Sequence, residues 1–117
     1  MRIAIVGSRG MVGQVLMKRI FEEGGLDKRA RWDFFSTTQA NHEMAFGGKF
    51  KDARDASLFY NYDVIVTCQG GFWTMSMYPQ IMQMGWKGIW LDASSALRME
   101  KVLSCLTLSI SCKSNIV

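Results

Sequence analysis

Apolar and β-branched residues open the chain. Ile3, Ala4, Ile5 and Val6 run unbroken to Gly7, after which the period changes and Val12, Val15, Leu16 and Ile20 fall at helical spacing. This predicts a strand over Arg2–Val6 followed by a helix. Glu22-Glu23-Gly24-Gly25 closes that helix, because glycine accepts the left-handed conformation needed just past a helix end. Trp32–Phe35 predicts a second strand that runs into the polar cluster Ser36-Thr37-Thr38-Gln39. Between Asn41 and Asp55 glycine and charge prevail, and Phe46-Gly47-Gly48-Lys49-Phe50 predicts a loop with a short extended piece. Further on, Asp55–Tyr60 predicts a short helix and Asp63–Thr67 a strand buried on both faces. A helix over about Thr74–Met84 must start late or bend at Pro79, and Gly88–Asp92 predicts another strand. Strands alternating with helices imply parallel pairing with right-handed crossovers, an α/β class with a doubly wound, mostly parallel sheet.

Val64–Trp86 is 23 residues without a formal charge, a length that would span a bilayer. Its contents argue otherwise: Gln69, Gln80, Gln83, Gly70-Gly71 and Pro79 interrupt it, so strand, turn and helix is the expected reading. Composition adds little, since 49% hydrophobic and 21% charged residues over 117 positions fit one ordinary packed domain. The net charge of +4 raises the question of a nucleic-acid or membrane partner, but the densest basic run, Lys28-Arg29-Ala30-Arg31, is flanked by Asp27 and Asp33. A solvated loop is expected there, with no nucleic-acid and no membrane partner. Cys68, Cys105 and Cys112, together with the single His42, give neither a disulfide framework nor metal-ligand spacing, and no metal is expected. A reducing cytoplasm fits this cysteine usage, and the amino terminus lacks the core and cleavage site of a signal peptide.

Gly7-Ser8-Arg9-Gly10-Met11-Val12-Gly13 lies where the first strand hands over to the first helix. There, glycines allow a tight turn and close approach of a pyrophosphate, whose charge is favoured by helix N–H groups and the helix dipole. Gly10 and Gly13 match the last two glycines of the dinucleotide fingerprint, while the first stands one residue early, with Ser8 in its usual place. A Rossmann-like fold is the expectation. At the end of the second strand, where NAD enzymes place a carboxylate on the ribose, stands Ser36-Thr37-Thr38. Hydroxyls without a carboxylate leave room for a 2′-phosphate and favour NADP, with Arg9 available as a cation. Asp33 is the rival by spacing, but it precedes Phe34-Phe35 within the strand. Gln69-Gly70-Gly71 reaches the carboxyl edge of the sheet as either a ligand contact or a plain turn. Asp92-Ala93-Ser94-Ser95-Ala96-Leu97-Arg98 reaches the same edge, with Arg98 either an anion-binding fork or a solvent-exposed residue after a helix cap.

Four segments together, at 7–17, 34–37, 66–71 and 92–99, closely resemble in order and spacing the amino-terminal part of bacterial aspartate-semialdehyde dehydrogenase. The resemblance covers about residues 1–101. It implies an NADP-binding domain within a larger homodimeric cytoplasmic enzyme that reductively dephosphorylates aspartyl 4-phosphate to aspartate semialdehyde, in amino-acid biosynthesis. By that resemblance Arg9, Gly10, Met11 and Val12 line the pyrophosphate site, beside Gly7 and Gly13 that the glycine motif already nominates for cofactor binding, and Ser36 and Thr37 form the 2′-phosphate side. Gln69 touches the cofactor, and Arg98 binds the substrate's phosphate or inorganic phosphate.

The family's nucleophile is a cysteine that follows a Gly-Asn pair in a second, catalytic and dimerisation domain, and no Gly-Asn-Cys occurs here. No catalytic residue is therefore assigned. Cys68 is expected to be a structural thiol and His42 a surface residue. After Lys101 the resemblance stops, and Val102–Val117 holds four serines, two cysteines, one Lys and no acid. This divergent tail suggests a shifted reading frame, and its alternating Leu106–Ser111 predicts a strand. The expectation is an NADP-binding half that binds cofactor without turnover. A non-catalytic dinucleotide-binding module, or a truncated product without function, is the alternative.

Overall fold

The computed structural model describes residues 1–38, 40–44, 48–93 and 98–115, with side chains to residue 111. Five parallel strands form one sheet of order β3-β2-β1-β4-β5, with β1 at Arg2–Val6, β2 at Arg31–Ser36, β3 at Lys51–Asp52, β4 at Val64–Thr67 and β5 at Ile89–Asp92. The order matches the first five strands of the common dinucleotide-binding topology. Helices α1 (Met11–Glu22), α2 (Gly71–Gln83) and α3 (Met99–Asn115) cover the sheet, with a 3₁₀ turn at Ala56–Phe59. The doubly wound α/β expectation thus holds, with an all-parallel sheet whose sole antiparallel feature among the described residues is a bridge between Glu43 and Lys49.

The apolar run at 3–6 is continuous because β1 is covered on both faces. Ile3 and Ile5, with Val64 and Val66, pack towards Leu16 and Ile20 of α1 and towards Val102, Leu103, Leu106 and Ile110 of α3. Ala4, Val6 and Ile65 face the other way, onto Phe59 and onto Trp73, Met77 and Ile81 of α2. Val6 lies beside Phe35 and Thr67, and Thr67 beside Asp92, so β1, β2, β4 and β5 end together along one edge.

Two elements differ from expectation. Helix α2 starts at Gly71, directly after the turn, and runs through Pro79 on its exposed side. The tail is no strand: Leu106–Ser111 lies within α3. Val102, Leu103, Leu106 and Ile110 are buried at helical spacing, whereas Leu108, which a strand would place on the same face as Leu106 and Ile110, is 69% exposed. Six alternating residues also fit a helix whose inner stripe begins at Met99. An ion pair between Arg19 and Glu100 joins α3 to α1. Among the described residues no helix is long and apolar enough to cross a membrane, and Val64–Trp86 comprises β4, a turn, the whole of α2 and the three residues after it.

Candidate functional site

The sheet edge where the strands end holds a cleft of about 490 Å³ lined by Gly7, Ser8, Arg9, Gly10, Phe35, Ser36, Thr37, Thr38, Phe50, Cys68, Gln69 and Gly70. Its first wall is the turn between β1 and α1. Gly7 has φ +80°, and a Cβ there would lie 2.9 Å from the Gln69 backbone nitrogen and 3.0 Å from its Oε1, so both conformation and space require glycine. Gly10 donates its N–H to the Gly7 carbonyl at 3.2 Å and caps α1 in an extended conformation. Gly13 packs against the underside of the turn, where a Cβ would collide with the Gly7 carbonyl oxygen and lie 2.6 Å from Ser8 Cα.

This turn suits an anion. The first-turn N–H groups of a helix lack intrahelical partners, and here no side chain caps them and no acidic residue stands in the first turn of α1. The helix dipole adds partial positive charge at the same end. Arg9 lines the cleft, and its carbonyl accepts from Gln14 Nε2 at 2.9 Å, which fixes the backbone of the turn.

The opposite wall comes from β2. Ser36 is nearly buried, and its Oγ accepts the Thr38 N–H at 3.2 Å, bending the chain so that Ser36, Thr37 and Thr38 all line the cleft. The carboxylates of β2 and β3 are engaged elsewhere. Asp33 accepts from Tyr62 Oη at 2.6 Å and stands within 3.8 Å of Arg2, Arg31 and Lys51. Burial, and then this Asp33 bond, push the Tyr62 hydroxyl well above its ordinary range. Asp52, beside Ser36 in the register, is held below the usual carboxylate range by its hydrogen bonds with Arg54.

The floor is the end of β4. Gln69 donates its N–H to Thr67 Oγ1 at 3.2 Å, a tight turn that brings Gln69 and Gly70 under the cleft. Cys68 lines it too, and burial, with Asp92 adding like charge, pushes its thiol up to about 12. A thiol held protonated in this way is a poor nucleophile near neutral pH.

Gly7, Arg9, Gly10, Ser36, Thr37 and Gln69 therefore meet around one cleft. Met11, which is 88% exposed, and Val12 sit in the first turn of α1 beside the cleft rather than in its lining. Arg98 stays outside it: its Nη1 donates to Asp92 Oδ2 at 3.1 Å, at the end of β5. Ser94, Ser95, Ala96 and Leu97, and likewise Gln39, Phe46 and Gly47, lie outside the described residues, as does the side chain of Cys112. His42 is exposed, and among the described residues no group of three or more His, Cys, Asp or Glu could hold a metal. Ser8 and Gly70 line the cleft as neighbours of motif residues. Phe50 lines it with no sequence signal, since only the fold brings the chain after residue 48 back to β2.

The cleft fits a dinucleotide: a Gly-lined turn at an uncapped helix start faces hydroxyls at the end of β2. A family model for the semialdehyde dehydrogenase NAD-binding domain matches residues 2–111. That match continues past Lys101 into α3. Among solved structures, an aspartate semialdehyde dehydrogenase from Francisella tularensis is similar, with 34% sequence identity and a TM-score of 0.74 over 84% of this chain. The chain spans 28% of that protein's length. Sequence, topology and cleft agree, and the chain belongs to the semialdehyde dehydrogenase family as an NAD-binding domain of that family.

Proposed function

We propose that this chain binds NADP(H) in the cleft between Gly7 and Gln69, as the cofactor-binding part of an aspartate-semialdehyde dehydrogenase-type oxidoreductase. The observation that carries the reading is the hydroxyl-lined end of β2, where Ser36, Thr37 and Thr38 face the cleft while Asp33 and Asp52 are engaged elsewhere. A ribose 2′-phosphate placed there meets hydroxyl donors and no opposing carboxylate, which favours NADP over NAD. The Gly7–Gly13 turn and the start of α1 hold the pyrophosphate, with Arg9 contributing charge and Gln69 bounding the floor. When bound, the nicotinamide supplies hydride for reducing an acyl group derived from aspartyl 4-phosphate.

Arg98 is the candidate for the substrate's phosphate. Its exposed guanidinium already holds one carboxylate, Asp92, so a phosphate would exchange with that partner in a bidentate fork. On this reading the chain binds cofactor without turnover: no Gly-Asn-Cys occurs in it, and Cys68, the thiol lining the cleft among the described residues, is a half-buried structural cysteine whose burial favours the protonated form. Cytoplasmic location and the homodimeric state of the family extend the same reading.

Titration of the purified chain by tryptophan fluorescence tests the binding step. Saturable quenching is expected with NADPH, and weaker quenching with NADH. Equal affinity for the two would remove the NADP assignment, and no saturation with either would remove the function. Phosphate-dependent oxidation of aspartate semialdehyde should be undetectable, whereas turnover abolished by Cys68→Ser would contradict the inactive reading.

A further inference from the structure

Glycine on either side of Ser8-Arg9 gives the turn after β1 its shape but leaves it slack. Gly7 and Gly10 lose more conformational freedom on ordering than any other residue would, so such a turn keeps one shape only where hydrogen bonds impose it. The Gly10 N–H donates to the Gly7 carbonyl at 3.2 Å. The other half of the same peptide unit, the Arg9 carbonyl, is held by a side chain, with Gln14 Nε2 donating to it at 2.9 Å. Gln14 is the fourth residue of α1, and helical side chains lean back towards the amino terminus, which lets it reach a residue five places earlier. Its own N–H closes the first bond of the helix, to the Gly10 carbonyl at 2.9 Å. Gln14 therefore binds two successive carbonyls of the turn, one through its side chain and one through its backbone.

We infer that Gln14 is a positioning residue for the dinucleotide: its carboxamide locks the Arg9–Gly10 peptide, and with it the start of α1, in the shape that receives the pyrophosphate. The inference rests on the reading that this cleft takes NADP(H). Three observations favour a positioning role over a purely structural one. Gln14 is exposed, whereas Gly13, Leu16 and Ile20 make the buried face of α1, so its side chain adds nothing to the core. The residues at the locked peptide, Gly7, Arg9 and Gly10, all line the cleft while Gln14 does not, so Gln14 acts on a bound cofactor only through the turn. Gly10, at the N-cap, has no side chain to cap α1, and no acidic residue stands in its first turn, so a side-chain restraint that consumes none of the first-turn N–H groups leaves them for the anion. A turn that is loose before binding must be ordered during it, and apparent affinity falls with the fraction of chains already in the receiving shape.

Fluorescence titration of the full chain with NADPH, comparing wild type with Gln14→Met and Gln14→Lys, tests it. Methionine has the length of glutamine without a donor, and should weaken NADPH about three- to tenfold, the worth of one exposed hydrogen bond. Lysine keeps a donor within reach of the Arg9 carbonyl and should bind NADPH at least as well as wild type. Adenosine 2′-monophosphate, which carries the 2′-phosphate but no pyrophosphate, should bind wild type and Gln14→Met alike, and the far-UV circular dichroism of all three chains should coincide. A Gln14→Met chain that binds NADPH within about twofold of wild type would overturn the inference and leave the cofactor reading intact. So would an equal loss for adenosine 2′-monophosphate, the mark of a general structural defect, or a Gln14→Lys chain as weak as Gln14→Met. A wild-type chain that binds no NADPH would remove the cofactor reading and this inference with it.

Discussion

Replacing Gly13 by alanine introduces one methyl group where the structure has no room for it. The new Cβ would run into the carbonyl oxygen of Gly7 and lie 2.6 Å from Ser8 Cα and 2.7 Å from Ser8 C. All three are backbone atoms, so no side chain can rotate away, and either α1 or the turn must move. Overpacking of this kind costs about 1–3 kcal/mol. Taking about 2 kcal/mol, the thermal midpoint should fall by roughly 10 °C. Gly7 and Ser8 line the cleft, so the same displacement should weaken NADPH binding about 10- to 100-fold, or about 1.4–2.8 kcal/mol. Thermal unfolding by circular dichroism and fluorescence titration read the two effects separately. Gly71→Ala is the matched control: nothing lies within 4 Å of its Cβ, and alanine suits the first turn of α2, so its midpoint should hold or rise. A Gly13→Ala protein that melts within a degree or two of wild type and binds NADPH equally well would refute the close packing of α1 against the turn.

Other perturbations probe the remaining parts. Thr37→Asp adds a carboxylate to the cleft at the end of β2, and should weaken NADPH at least about tenfold while sparing NADH, by repelling the 2′-phosphate; equal losses for both cofactors would move the phosphate elsewhere. Leu106, buried in α3, should cost about 2–5 kcal/mol on truncation to alanine, whereas exposed Leu108→Ala should stay within about 0.5 kcal/mol in urea unfolding. Equal effects would contradict the docked helix. The Cys68 thiol has a folded value near 12, above its ordinary value of 9, so the fold favours the protonated form. Its contribution to stability is therefore complete below about pH 9 and is lost as the pH rises towards about 12. Between pH 8 and pH 10 the urea midpoint should fall less in Cys68→Ala than in wild type.

Much of this fold is legible in the residues, because burial on both faces writes unbroken apolar runs at Ile3–Val6 and Val64–Val66, and Gly7 requires a positive φ at the point where β1 ends. The cleft walls at Gly7, Arg9, Gly10, Ser36, Thr37 and Gln69 follow from strand ends, since a parallel sheet brings all of those ends to one edge. What stayed hidden depends on long-range packing. Leu106, Leu108 and Ile110 alternate with period two, whereas Leu106 and Ile110 alone continue the helical spacing of Val102 and Leu103, and only the apolar face left beside α1 selects the helix. Phe50 enters the cleft through a return of the chain that no local pattern encodes. Similarly, the 23 uncharged residues do not reveal which of their methionines face outward: Met77 is core, while Met75 and Met82 are exposed.

The most direct test of the account is to map NADPH onto the backbone of the isotopically labelled chain by amide NMR. Titration should shift the amides of Gly7, Arg9, Gly10, Ser36, Thr37 and Gln69 together, with one saturation curve, while those of Leu103 and Leu106 in α3 stay in place. Saturable shifts confined to another surface, or none at all, would contradict the assignment of this cleft as the dinucleotide site.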